Sequence, residues 1–78
     1  MITSQLTISA VDKRDMPDKM RKVIENHATV SSGIRIHKDL YHKRVKFVMT
    51  FKMKEGEVID EMLVVLTEIE GIRAINYE

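Results

Sequence analysis

From Arg44 to Met53 the chain reads RVKFVMTFKM. Val45, Phe47, Met49, Phe51 and Met53 fall on one side of this alternation, and Arg44, Lys46, Val48, Thr50 and Lys52 on the other. A period of two marks a strand with one face in a core and one in water. Five apolar residues in register are expected to face inward and the lysines outward. Such a strand needs neighbours on its edges and a cover over its apolar face, so the rest of the chain must supply both.

Residues 2–11 alternate in the same way, with Ile2, Leu6, Ile8 and Ala10 on one face and Thr3, Gln5, Thr7 and Ser9 on the other. Residues 30–38 read as a second strand, Ile34 and Ile36 opposing Arg35 and His37, with Gly33 at a bulge or at the start of regular pairing. Asp39-Leu40-Tyr41-His42 is the expected hairpin connection to the 43–53 strand, although it lacks the Asn-Gly pair of a tight two-residue turn. IRAINY, residues 72–77, forms a last short strand.

Two segments have helical spacing. In KRDMPDKMRKVIEN, residues 13–26, Asp15 is placed to cap a helix and Pro17 sits near its first turn, where a missing N–H costs little. Asp18 puts a negative charge at the positive end of the helix dipole. Met20, Val23, Ile24 and His27 then recur on one side, and Asn26 and His27 close the segment. Lys54-Glu55-Gly56-Glu57 breaks the third strand before a second helix over Glu57–Ile69. Its apolar stripe, Val58, Ile59, Met62, Leu63, Val65, Leu66 and Ile69, is wider than one packed face requires. Gly71 is placed for a left-handed C-cap.

The order β-α-β-β-α-β predicts an α+β, ferredoxin-like two-layer sandwich: an antiparallel four-stranded sheet with two helices on one face. Right-handed crossovers give the strand order 4-1-3-2. Residues 1–78 are expected to be one domain, and its ends fall so close to predicted strands that it reads as a module of a larger protein.

Composition removes several function classes. There is no cysteine, so neither a disulfide framework nor a thiolate metal site can form. No apolar run approaches the roughly 20 residues of a membrane span. The net charge is +1, yet residues 35–54 hold seven Lys/Arg against Asp39 alone, and residues 55–78 hold seven acids against Arg73. The simplest expectation is two solvated faces that attract each other; the sharper one is a basic surface for an anion. Arg35, Lys38, Lys43, Arg44 and Lys46 are its candidate residues.

No catalytic residues are expected. His27, His37 and His42 have no nucleophile at a recognisable spacing, and the three glycines are isolated rather than grouped in a phosphate loop. A hydrolase of acyl phosphates on this scaffold would have only Arg14 and Arg35 as anchors. His37 and His42 read as solvated hairpin residues rather than a shared metal site, so no metal or cofactor is expected. Nucleic-acid binding of the kind that stacks bases on an open sheet is not expected, because Phe47 and Phe51 belong to the inward face.

The junction KRDMPD resembles the first loop of the ACT domain family, which often reads Asp-x-Pro-Gly before its helix; Asp15 and Pro17 match, and Asp18 stands where the glycine would be. The ending LTEIEGIRAINYE is also similar, with Ile69, Gly71, Ile72 and Ile75 in place. A narrower likeness is to the cytosolic C-terminal domain of MgtC/SapB-type membrane proteins. The resemblance implies a ferredoxin-like regulatory or oligomerisation domain without catalysis, in the cytoplasm or as the cytosolic tail of an inner-membrane protein. It implies a homodimer, a membrane-embedded or enzymatic host, and a ligand loop formed by Asp15, Met16, Pro17 and Asp18. It leaves open an amino-acid-sensing domain of a metabolic enzyme. The residues add their own reason to expect pairing: α-helical apolar surface beyond one stripe, together with a sheet face near Val48 or the edge of the second strand, calls for a second copy as cover.

Overall fold

The computed structural model describes residues 4–78; Ile2 and Thr3, expected to open the first strand, lie outside the described residues. The elements are β1 (Ser4–Val11), α1 (Met16–His27), β2 (Ala28–Val30), β3 (Arg35–Asp39), β4 (Arg44–Met53), α2 (Ile59–Thr67) and β5 (Ile72–Tyr77). The strand with the strongest alternation, β4, is central. It pairs antiparallel with β1 from Val45 opposite Ala10 to Phe51 opposite Ser4, and β1 pairs antiparallel with β5.

The expected second strand is two pieces, β2 and β3, both antiparallel to β4 along the same edge. Val30 stands opposite Phe51, but Arg35, five residues on, stands opposite Val48, so the edge strand carries two extra residues. Two serines bridge the gap: Ser31 N–H donates to the Thr50 carbonyl at 3.0 Å, and Thr50 N–H donates to Ser32 Oγ at 3.1 Å. An insertion of two keeps the facing of side chains, as the period-two pleat requires. With β2 and β3 counted as one interrupted strand, the observed order is the expected 4-1-3-2.

β4 turns its apolar side inward, as its alternation predicts. Val45, Phe47, Met49 and Phe51 are buried with Leu6, Ile8 and Ala10 of β1, under Met16, Met20 and Ile24 of α1 and Met62 and Leu66 of α2. Both helices therefore cover one face of the sheet.

Helix ends differ from the expectations in instructive ways. Asp15 occupies the N-cap position of α1 but makes no capping bond. Its carboxylate lies 3.1 Å from Lys19 Nζ instead, and this ion pair lowers its pKa below 3.8. Pro17 does sit in the first turn. The second helix is shorter than Glu57–Ile69. Glu57 N–H is held in a turn by the Lys54 carbonyl, and Thr67 Oγ1 donates back to the Val64 carbonyl at 2.6 Å, ending the regular spiral. Gly71 is consequently not the C-cap of α2, a position that Glu68 takes in right-handed conformation. Gly71 has φ +102 in a turn closed by Ile72 N–H on the Ile69 carbonyl, the third position of which needs glycine.

Candidate functional site

Two surfaces bring chemistry-bearing side chains together. The first is a cleft of about 470 Å³ on the helix side of the sheet, where β1 passes into α1. Its floor is apolar, made by Val45, Phe47 and Ile36, because the register sets Ile36 opposite Phe47 and Lys38 opposite Val45. Lys13, Arg14 and Lys38 rim it, and Asp12 is held 3.5 Å from Lys38 Nζ. Lys13 in turn lies 3.5 Å from Glu70 Oε1, so Arg14 is the rim cation without an ion-pair partner among the described residues; beside the apolar floor it suits a small ligand with an acid group and an apolar body.

Of the four loop residues expected to bind a ligand, only Pro17 lines this cleft. Met16 is 1% exposed and belongs to the core. Asp15 is engaged with Lys19, and Asp18 is exposed on the first turn of α1. Lys13, Arg14, Ile36 and Lys38 were not singled out as a cleft from the sequence. The signal for two of them lay in the parity of the second strand, which puts Ile36 and Lys38 on the Phe47 side.

The second surface is the open face of the sheet and the hairpin that extends from it. Arg35, His37 and Asp39 of β3 stand beside Val48, Lys46 and Arg44 of β4. Of the five expected anion-binding residues, Arg35, Arg44 and Lys46 thus share the open face. Lys38 points to the helix side, and Lys43 sits in the turn with φ 55. Arg14 and Arg35 lie on opposite sides of the sheet, so they do not converge on one phosphate. No Phe or Tyr stands on the open face among the described residues.

Val48 is on that open face yet only 8% exposed, flanked by Thr7 and Arg35 across the strands. It needs no second copy to cover it, which corrects the expectation of an apolar patch there. The expected attraction between the basic and acidic segments also fails at the level of contacts. Among the described residues, no ion pair joins a cation of residues 35–54 to an acid of 55–78.

The histidines are distributed apart. His42 is tied to Asp39, with Nδ1 2.7 Å from Oδ2 and its backbone N–H 3.1 Å from Oδ1. These two bonds hold the Asp39 pKa below 3.8. His27, at the end of α1, has Nδ1 2.8 Å from Glu57 Oε1 but not aligned for a hydrogen bond. Among the described residues no group of three His, Asp or Glu side chains could hold a metal ion, and no helix is long and apolar enough to cross a membrane.

The layer arrangement and connectivity define a ferredoxin-like α+β domain, and comparison with solved structures narrows this to the ACT-like form. The ACT domain from GTP pyrophosphokinase of Chlorobium tepidum superposes with a TM-score of 0.77 at 13% identity, covering 99% of this chain and 97% of that one. The C-terminal domain of the MgtC protein from Mycobacterium tuberculosis gives 0.70 at 14%, covering 97% and 84%. A formyltetrahydrofolate deformylase from Pseudomonas putida gives 0.84 at 15%; the match covers 99% of this chain but 28% of that enzyme. No family model and no curated protein matches the chain. The chain therefore has the ACT-like fold.

Proposed function

We propose that the chain is a non-catalytic regulatory module that works by pairing with a second copy of itself, as part of a larger membrane-embedded or enzymatic protein. The observation that carries this reading is the solvent side of α2 and its approach. Val58, Val64 and Val65 are 50%, 58% and 38% exposed, while Met62 and Leu66, with Ile59 and Leu63 partly buried beside them, already seat the helix in the core. At ~25 cal/mol per Å² of apolar surface, covering a few hundred Å² gives several kcal/mol before association costs. That is comparable with the 5–15 kcal/mol of a small domain. All five residues of β3 are exposed, which leaves a second edge for a neighbour. That the fold recurs as the ACT domain from a GTP pyrophosphokinase and as the C-terminal domain of MgtC supports a module of a larger protein. A cytosolic setting, including that of an inner-membrane protein's tail, accompanies this reading.

Sedimentation at micromolar concentration is the test. A dimer is expected, and Val64→Ser with Val65→Ser should dissociate it without changing the circular dichroism spectrum. A native chain that stays monomeric sinks the proposal.

The cleft supports a second reading, sensing of a small amphipathic acid such as an amino acid. Its cations and apolar floor carry that reading. A ligand specific for the native form raises the melting temperature, and Lys38→Gln should abolish the rise. A thermal-shift screen of amino acids with no response removes it.

A further inference from the structure

Two surfaces remain that the fold itself leaves without partners, and they are complementary. The first is the tip of the β3–β4 hairpin. Leu40 and Tyr41 are 80% and 89% exposed. The loop that carries them is well held: Asp39 accepts the His42 N–H, Tyr41 lies edge-on to the His42 ring at 4.8 Å, and the Lys43 carbonyl accepts Asp12 N–H at 3.0 Å. Lys38, Lys43 and Arg44 ring the apolar pair within two or three residues, with Arg35 and Lys46 further along the arm. Among the described residues only Lys38 of these five has an acid partner, and the one acid of the arm, Asp39, is turned to His42.

The second surface is the solvent side of α2. Val64 and Val65 form a shallow apolar patch bordered by Asp60 and Glu61. Residues 55–72 contain six acids and no Lys or Arg. A contact of α2 on α2 would therefore bring together only negative charges around the valines. A contact of the hairpin tip on α2 would bring an apolar pair ringed by cations onto an apolar patch ringed by acids.

We infer that the partner of α2 is the hairpin tip of a second copy, and that the contact is reciprocal: each copy inserts Leu40 and Tyr41 against Val64 and Val65 of the other. This rests on the pairing proposed above and names its interface. Reciprocity is the rule for a two-fold dimer, in which each half of the interface occurs twice. A standard interface covers about 800 Å² per partner, so each of the two tip-to-helix contacts need supply only about half. The segregation of charge along the chain then has a physical use. Opposite charges that make no ion pair within one copy meet between two, setting register and speeding encounter.

The sign of the salt effect separates this interface from an α2-on-α2 one. Added salt screens attraction in the first case and repulsion in the second. Sedimentation equilibrium of the full chain across a salt series is expected to show dissociation increasing severalfold from low to moderate salt. Leu40→Ser with Tyr41→Ser removes two large apolar contacts in each half-interface. It should raise the dimer Kd by on the order of a thousandfold or more, with an unchanged circular dichroism spectrum. Val64→Ser with Val65→Ser should do the same. Mixing the two monomeric variants restores one intact tip-to-helix contact, so a heterodimer weaker than the native dimer should appear.

A dimer that survives the tip substitutions, tightens with salt and yields no mixed species would overturn the reciprocal contact while leaving the pairing proposal intact. A native monomer would overturn both. A monomer that sediments with anionic phosphatidylserine vesicles through Leu40 and Tyr41 would assign the tip to a bilayer instead and also overturn the contact.

Discussion

Replacing Gly71 with alanine tests how the first loop is held in place. Gly71 has φ +102 and Gly56 has φ +83, so a Cβ at either position meets a backbone conformation that L-residues avoid. That cost is about 1–2 kcal/mol, offset by about 0.4–1 kcal/mol because alanine has less freedom than glycine in the unfolded chain. The surroundings differ. A Cβ on Gly56 has nothing within 4 Å, whereas one on Gly71 falls 2.9 Å from Met16 Cε and 3.8 Å from Val11 Cβ. The atom it meets is the far end of a flexible side chain, so Met16, 1% exposed, must turn its terminal methyl aside within the core. Displacing a flexible side-chain end falls at the low end of overpacking, about 1 kcal/mol. Gly56→Ala should therefore cost about 0.5–1.5 kcal/mol and Gly71→Ala about 1.5–2.5 kcal/mol, measured by urea denaturation. At about 4–8 °C of melting temperature per kcal/mol, the two variants separate clearly. Met16→Leu, which lacks the offending methyl, should bring the cost of Gly71→Ala down to that of Gly56→Ala. Equal costs for the two glycines in the native background, or an unchanged cost after Met16→Leu, would refute the contact as the cause.

Two further outcomes concern the hairpin. Lys43 holds φ 55 without being glycine, so Lys43→Gly is expected to stabilise the chain by up to about 1 kcal/mol, read as a higher urea midpoint; a lower midpoint would show that its side chain does more than occupy a turn. Asp39 has its pKa lowered from 3.8, first by the His42 ring and then by the His42 backbone N–H. A depressed carboxylate pKa means the turn's stabilisation is complete above pH 3.8 and is lost as pH falls through the lower folded value. Carboxyl chemical shifts should titrate below 3.8 in the native chain and closer to it in His42→Ala; a native midpoint at or above 3.8 contradicts the pairing.

What could be read from the sequence was whatever one short window decides. The β4 alternation is local, and its burial follows from five apolar side chains in register. Pro17 near the start of α1 is likewise a local restriction. The break in the edge strand was legible only as an irregularity at Gly33; the two inserted residues were not, because Ser31 and Ser32 replace ladder bonds with hydroxyl and offset backbone bonds, and serines carry no periodic signal. The α2 boundaries moved inward for a similar reason, since Thr67 competes for the Val64 carbonyl. The candidate site was the least legible part. Met16 reads as a loop residue but fills space beside Gly71, 55 positions away in the chain. The cleft joins Lys13 and Arg14 to Ile36 and Lys38 only through the pairing of β3 with β4.

The two-layer arrangement also decides which surfaces can be used at once. The α2 valines lie on the solvent side of the helix layer, while the hairpin tip leaves the sheet layer beyond Asp39 and Arg44. The cleft is walled by the same hairpin through Ile36 and Lys38. A second copy seated on the tip would bear on β3, the strand whose contacts to the rest of the chain run chiefly through β4. A ligand in the cleft would bear on the same strand from the helix side. If the proposed pairing and ligand binding both occur, they would be two loads on one lightly held element, and any difference in β3 position between them would become a coupling free energy that acts equally in both directions.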